Sequence, residues 1–341
     1  MTLDPRRTSA SGPPARSGTA LNVAEPRHAA PSVPPDKPPR RVRSGRFDLK
    51  YAGYFYIAPF FVLFTAFGLF PLIYTARLSL HKWTLTGGDK GFVGLDNYRK
   101  LFADDQFWNA MFNTFGLFIV STIPQLLLAL LIASWLNNRL RARTLLRMGI
   151  LIPNITSVAA VGIIFGLIFA ERYGMANWVL QSLHLPAVEW RNNRWSSWTA
   201  IAFMVDWRWT GYNALIYLSA MQAIPKDLYE SAALDGASAA RRFWRITLPL
   251  IQPTILFTVI ISTIGGMQLF TEPLLFDYGR PGGGTLNEFQ TVAMYIYETT
   301  FTNNYSAGMG AAISWLLFLV IIVFALVNFL LLRRTLRGSQ Q

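Results

Sequence analysis

The stretch Ile224-Pro225-Lys226-Asp227-Leu228-Tyr229-Glu230-Ser231-Ala232-Ala233-Leu234-Asp235-Gly236-Ala237-Ser238 continues as Ala239-Ala240-Arg241-Arg242-Phe243-Trp244-Arg245-Ile246-Thr247-Leu248-Pro249-Leu250-Ile251-Gln252-Pro253. Pro225 stops a preceding helix and suits the first turn of the next. Asp227 and Glu230 then lie near that helix's positive end, and Ala232, Ala233 and Leu234 favour helix. Asp235-Gly236 signals a turn, because glycine takes φ > 0 freely. Ser238 is placed to cap a second short helix carrying Arg241, Arg242 and Arg245, and Pro249 marks the start of a further apolar segment. The stretch reads as a compact helix–turn–helix. Its small residues let another surface approach closely, and Leu228, Ala232 and Phe243 offer an apolar anchor with Glu230 as a charged contact beside it. The plainer reading is an amphipathic loop lying on lipid, which the arginines and Trp244 would also suit.

On both sides of this loop, runs without Asp, Glu, Lys or Arg recur at 51–76, 109–138, 148–170, 246–271 and 299–332. A helix crosses ~30 Å of hydrocarbon with ~20 residues, so each run is long enough, whereas helices of soluble proteins average ~10–14 residues. A sixth candidate, 195–222, is interrupted by Asp206 and Arg208. The expected fold is an all-α membrane protein with six transmembrane helices at about 52–77, 110–137, 147–170, 196–222, 247–272 and 304–332. Composition agrees: 14% of the 341 residues are charged and 52% are hydrophobic, where a soluble protein carries roughly 25% charged residues. The absence of Cys excludes disulfides, thiolate nucleophiles and Cys-ligated metals. His28, His81 and His184 are too scattered for a histidine metal site.

The net charge of +13 is a matter of topology. With the N-terminus inside, the inner segments 1–50, 139–147, 223–245 and 333–341 hold 21 Lys/Arg against nine in the outer segments 77–108, 171–194 and 272–298. The short loop from Arg139 to Arg147 has four Arg and no acid. Both termini are therefore expected to be cytoplasmic and the protein to be a multi-pass cell-membrane protein. The basic excess then needs no nucleic acid. Residues 1–50 are rich in Pro, Ser, Ala and Arg with Phe47 as the sole aromatic. They read as a disordered cytoplasmic tail ahead of a membrane domain at 51–341, and without an apolar core they do not read as a cleavable leader. No internal repeat is evident, which weakens a secondary transporter built on inverted repeats.

The pattern Glu230, Ala232, Asp235, Gly236, Ala237, then Phe243, Ile246, Leu248, Pro249 and Pro253, resembles the EAA signature of ABC-importer permeases. Ser231 stands where that family usually has Ala. Gly94-Leu95-Asp96-Asn97-Tyr98, 107–114, Trp207-Arg208-Trp209-Thr210-Gly211 and Tyr295-Ile296-Tyr297 resemble the family's binding-protein-dependent carbohydrate branch. They match the subunit related to the larger maltose-transporter permease, without its long outer insertion. Residues 268–276 look most like actinobacterial oligosaccharide permeases, cellobiose types included.

This resemblance implies the type I ABC-importer permease fold and transport rather than catalysis. It implies a second permease subunit, two cytoplasmic ATPase subunits and an extracytoplasmic sugar-binding protein as partners, together with membrane lipid. Glu230, Ala232, Asp235, Gly236 and Ala237 would form the ATPase-coupling element in loop 223–246, with Glu230 meeting a basic residue of the ATPase. No cofactor is expected in this chain, since ATP would be bound by the partner: there is no G-x-x-x-x-G-K-[ST] loop, and Gly279-Arg280-Pro281-Gly282-Gly283-Gly284-Thr285 lacks the Lys.

Neutral sugars are held by aromatic faces and neutral hydrogen-bonding groups. Candidate pathway residues are Trp209, Tyr212 and Asn213 in the fourth span and Ser262, Gln268 and Glu272 in the fifth, with Trp207, Tyr217, Ser219 and Gly266 nearby. By resemblance to the maltose permease, Ser262 matches a sugar-contacting serine. The plain reading of these aromatics is packing or an interface belt, and of Gly265-Gly266 close helix contact. Asp206 and Arg208 are costly within a span, but at i, i+2 they do not share a face. They read as lining or gating groups, and Gly211 marks a possible break. The competing readings are an ABC permease for glycerol phosphate or another polar solute, a non-ABC secondary transporter, and a membrane enzyme, whose only adjacent acids would be Asp104-Asp105.

Overall fold

The computed structural model describes residues 46–138, 142–302 and 305–338. Most of the tail expected over 1–50 lies outside them, as do Arg139 and Arg141 of the arginine loop. Residues 46–50 already belong to a helix, so helix begins inside that expected tail. The chain divides into two units at Pro59. Of the first, only the opening of helix α1 (Arg46–Phe64) is described.

The second unit is almost entirely helical. A π-turn at Thr65–Leu69 leads into α2 (Phe70–Ser79). A hairpin of β1 (His81–Thr84) and β2 (Gly88–Phe92) follows, antiparallel with His81 opposite Phe92. This small sheet departs from the all-helical expectation. Gly88 at φ +67° and Gly91 at φ +112° supply the turn and the irregular register that a helix reading missed. Next come α3 (Asp96–Phe102) and α4 (Asp105–Leu136). Asp104, half of the acidic pair, caps α4 by accepting from the Gln106 N–H at 2.9 Å and also accepts from the Tyr295 hydroxyl. That role is structural.

The expected third span is broken. α5 (Arg143–Ile155) and α6 (Val158–Ile168) meet at 88°. Pro153 lies inside the last turn of α5, and Thr156 and Ser157 adopt extended ψ values of 143° and 129°. After α7 (Met175–Ser182), α8 (Arg194–Gln222) runs without interruption through Gly211. A Cβ at Gly211 would strike the backbone of Ile150, so this glycine admits α5 close to α8 rather than breaking the helix. α9 (Lys226–Leu234) and α10 (Ala239–Arg242) follow. α10 passes through a π-turn at Phe243–Thr247 into α11 (Leu248–Met267), forming one long helix. The chain closes with α12 (Thr271–Phe276), α13 (Val292–Tyr297), a π-turn at Glu298–Thr302 and α14 (Ala307–Gly338).

Among the described residues, four helices are long and apolar enough to cross a membrane: Ala52–Ser79, Asp105–Leu136, Ala239–Met267 and Ala307–Leu330. The bent α5–α6 pair makes a fifth if it counts as one span. At 29 residues α8 is long enough, but Arg194, Asp206 and Arg208 lower its apolar character. Three buried clusters join these helices. Leu101, Phe107, Met111, Met267, Val292, Ile313 and Leu317 form one. Leu117, Trp198, Ile201, Leu269, Phe276 and Phe289 form the second. Ala129, Ala133, Leu136, Tyr217, Met221 and Ile251 form the third. Around them large side chains stay exposed, including Phe60, Phe64, Phe67 and Phe70 on the first helical segment, as expected of surfaces solvated by lipid or covered by other subunits.

Candidate functional site

The loop over 223–246 folds as a helix, a tight turn and the start of the next long helix. Pro225 sits immediately before the first helical residue of α9, and Asp227 falls in the first turn. The end of α9 is a double-bonded cap. The Ala237 N–H donates to the Ala232 carbonyl at 2.9 Å and the Gly236 N–H to the Ala233 carbonyl at 3.1 Å, with Gly236 at φ +74°. This geometry places Ala232, Asp235, Gly236 and Ala237 in one turn. A Cβ on Gly236 would meet nothing within 4 Å, so the requirement at this position is conformational. Ser238 caps α10 through its Oγ, accepting from the Arg241 N–H at 3.3 Å.

Glu230 is exposed on α9. Among the described residues, none of Lys226, Asp227, Glu230, Asp235, Arg241, Arg242 and Arg245 is in an ion pair. Ala232 and Ala237 line a hollow of about 390 Å³ with Arg241, Arg242, Arg245 and Ile246. One hydrogen bond fixes the loop to the long helix: the Tyr229 hydroxyl and Thr247 Oγ1 are 2.9 Å apart. The result is a charged, exposed element joined to the start of the long helix by the Tyr229–Thr247 hydrogen bond.

The pathway candidates separate into two groups. Glu272, Arg208, Trp209 and Tyr212 form a continuous chain of contacts. Arg208 and Glu272 are a buried ion pair at 2.5 Å. The Arg208 guanidinium lies 5.6 Å from the centre of the Trp209 ring, and Trp209 meets Tyr212 edge to face at 5.9 Å. Trp209 and Tyr212 are exposed, as is Trp207. Glu272 is thus already engaged, and Arg208, which pairs poorly with Asp206 on geometric grounds, finds its partner 64 residues away. Asp206 Oδ1, Arg208 Nε and Thr210 Oγ1 are buried with no hydrogen-bond partner among the described residues.

The remaining candidates are less concentrated. Asn213 is buried and its Nδ2 donates to the Trp209 carbonyl at 3.4 Å. Ser262 is half-buried, and Gln268 is exposed where α11 ends. Tyr217 is buried, with its hydroxyl 2.7 Å from Thr258 Oγ1, so it joins α8 to α11 rather than facing a pathway. Gly266 accommodates Phe118 and Thr122 of α4, as close helix contact requires.

Sequence reasoning missed Arg191. It is buried, donates to the carbonyls of Phe276 at 3.0 Å and Gly166 at 3.0 Å, and lies 4.3 Å from the ring centre of Tyr278. Its acceptors lie 85 and 25 residues away, and no local pattern announces them.

Four long apolar helices and a broken fifth define a multi-pass integral membrane protein. The chain belongs to the family of binding-protein-dependent transport system inner membrane components, whose model matches residues 118–337. It is similar to the arabinooligosaccharides transport system permease protein AraP of Bacillus subtilis (strain 168), 35% identical over 293 residues that cover 84% of this chain and 91% of that one. It is also similar to the lactose transport system permease protein LacF of Rhizobium radiobacter, 35% identical over 280 residues covering 81% and 92%. Its fold matches a crystal structure of a bacterial ABC transporter involved in the import of the acidic polysaccharide alginate, with a TM-score of 0.72 at 22% identity over 84% of this chain and 97% of that one. The chain is a membrane permease, a transport component and not an enzyme.

Proposed function

We propose that this chain is one of two permease subunits of an ATP-driven oligosaccharide importer, with six crossings of the membrane and both termini in the cytoplasm. α8 supplies the sixth crossing. Loop 223–246 docks on a cytoplasmic ATPase, with Glu230 offered to a basic residue there and Gly236 permitting the tight turn. An extracytoplasmic binding protein delivers the sugar. The observation that carries this reading is the loop itself: an ordered, exposed turn with unpaired charges, bonded to α11 through Tyr229 and Thr247. Support for a sugar comes from the relatives, whose names refer to arabinooligosaccharides and lactose, and from the exposed aromatic pair Trp209–Tyr212.

The test is uptake of radiolabelled oligosaccharides by cells carrying the wild-type chain, Glu230→Ala or Gly236→Pro, with membrane levels measured alongside. Loss of uptake at normal membrane levels is the expected result. Uptake that survives both changes, or that needs no ATPase partner, overturns the coupling role in favour of a secondary transporter. Uptake of glycerol phosphate in place of sugars overturns the substrate class.

A further inference from the structure

Where the start of α5 meets the end of α8, a hollow of about 300 Å³ is lined by Thr144, Arg147, Met148 and Leu151 on one side and Leu215, Leu218, Ser219 and Gln222 on the other. Its chemistry is two-sided. Thr144, Arg147, Ser219 and Gln222 bear hydrogen-bonding groups, while Met148, Leu151, Leu215 and Leu218 make an apolar wall. Arg147 is half-buried, and its Nε and Nη2 are shielded from solvent yet have no hydrogen-bond partner among the described residues. No carboxylate among the described residues lies within ion-pair distance of it. Shielded guanidinium nitrogens without partners are costly, and native proteins supply such groups with an acceptor.

We propose that this hollow is a binding site for the headgroup of an anionic phospholipid of the inner leaflet, with Arg147 as its anchor. A phosphate diester accepts charge-assisted N–H bonds from a guanidinium, and Arg147 lines the hollow beside the neutral hydrogen-bonding side chains. The hydroxyl and amide groups complete the headgroup's contacts. The acyl chains run along Met148 and Leu151, of which Met148 is exposed. A carboxylate from a neighbouring protein would satisfy the arginine but leave the apolar wall without an occupant. Basic pockets between spans on the cytoplasmic side take lipid headgroups in this manner. The choice of leaflet rests on the proposed orientation.

The experiment is native mass spectrometry of the full-length chain in mild detergent, with phosphatidylglycerol and phosphatidylcholine of matched acyl chains. The wild type is expected to retain phosphatidylglycerol roughly fivefold over phosphatidylcholine, the gain of one basic contact. Arg147→Gln should abolish the preference and Arg147→Lys keep part of it. Ser219→Trp, which fills the hollow and leaves Arg147 intact, should also abolish it and carries the test if Arg147→Gln fails to fold. Equal retention by wild type, Arg147→Gln and Ser219→Trp overturns the proposal. Displacement of the lipid by millimolar inorganic phosphate assigns the site to a soluble phosphate and overturns it too. So does loss of a co-purifying permease subunit from Arg147→Gln with lipid unchanged. None of these readouts depends on sugar uptake. Labelling of Gln222→Cys in this cysteine-free chain by an impermeant reagent, in intact cells against inverted vesicles, tests the orientation separately.

Discussion

Arg208 of α8 donates from Nη1 to Oε1 of Glu272 on α12, with both side chains less than a tenth exposed. The pair ties the middle of one long helix to the short helix that follows another. Removing one partner leaves the other buried and charged, at a cost of about 3–5 kcal/mol. Arg208→Met and Glu272→Gln should each destabilise the protein by that order, read as thermal unfolding in detergent. The double substitution Arg208→Met with Glu272→Met should recover most of the loss. Single variants that melt with the wild type would show that the pair bears no structural load.

Tyr229 and Thr247 connect the exposed turn to α11. Tyr229→Phe removes one neutral hydrogen bond, a loss of about 1 kcal/mol, and leaves packing in place. The protein should still insert normally. If the loop couples to an ATPase as proposed, sugar-stimulated ATP hydrolysis by the assembled transporter should fall while basal hydrolysis persists. Unchanged stimulation would assign the coupling to another connection.

Two glycines separate conformational from steric demand. Gly236 is left-handed with open space around its missing Cβ, so Gly236→Ala should cost about 1–2 kcal/mol. Gly236→Asn should cost less, because Asn tolerates that conformation. Gly211 has ordinary helical backbone but abuts the Ile150 backbone. Gly211→Ala must push α5 from α8 and should reduce folded protein in membranes more than Gly236→Ala does. Comparable membrane levels for the two variants would contradict this order.

Asp89 gives the hairpin a pH dependence. The Gly91 N–H, 2.9 Å away, and the ring of His81, 3.0 Å away, hold the Asp89 carboxyl below the usual carboxylate range. A carboxyl depressed on folding stabilises the fold above its unfolded value, and that contribution is lost as pH falls through its folded value. Amide exchange over 81–92, corrected for intrinsic rates, should be steady from neutral pH to about 4 and rise below it. Asp89→Asn should exchange faster at neutral pH and lose the acid transition.

Four of the six expected spans were legible because a lipid-facing helix cannot tolerate charge, so uncharged runs mark it directly. The turn at Asp235-Gly236 and the Ser238 cap were equally legible, since each is satisfied by backbone groups within five residues. The 88° bend was hidden inside an apolar run. Its signals, Pro153 and the hydroxyl residues after it, were present but carried no charge to interrupt the pattern. Arg208 could not be assigned locally, because its partner is brought to it only by the packing of α12 on α8. Tyr278 is similar. At φ +57° it occupies a conformation that the neighbouring Gly279 would take more easily, and its place is fixed by stacking with Arg191.

Apart from Lys226 at its start, the charges on the exposed turn are sorted along the chain. Asp227, Glu230 and Asp235 come first, and Arg241, Arg242 and Arg245 follow across the turn. A socket that receives this turn must therefore be polarised in the opposite sense. Turning the plug end for end would set carboxylate against carboxylate and guanidinium against guanidinium, and such juxtapositions cost several kcal/mol. Under the proposed docking, the turn would set the direction in which a receptor faces as well as the place where it binds.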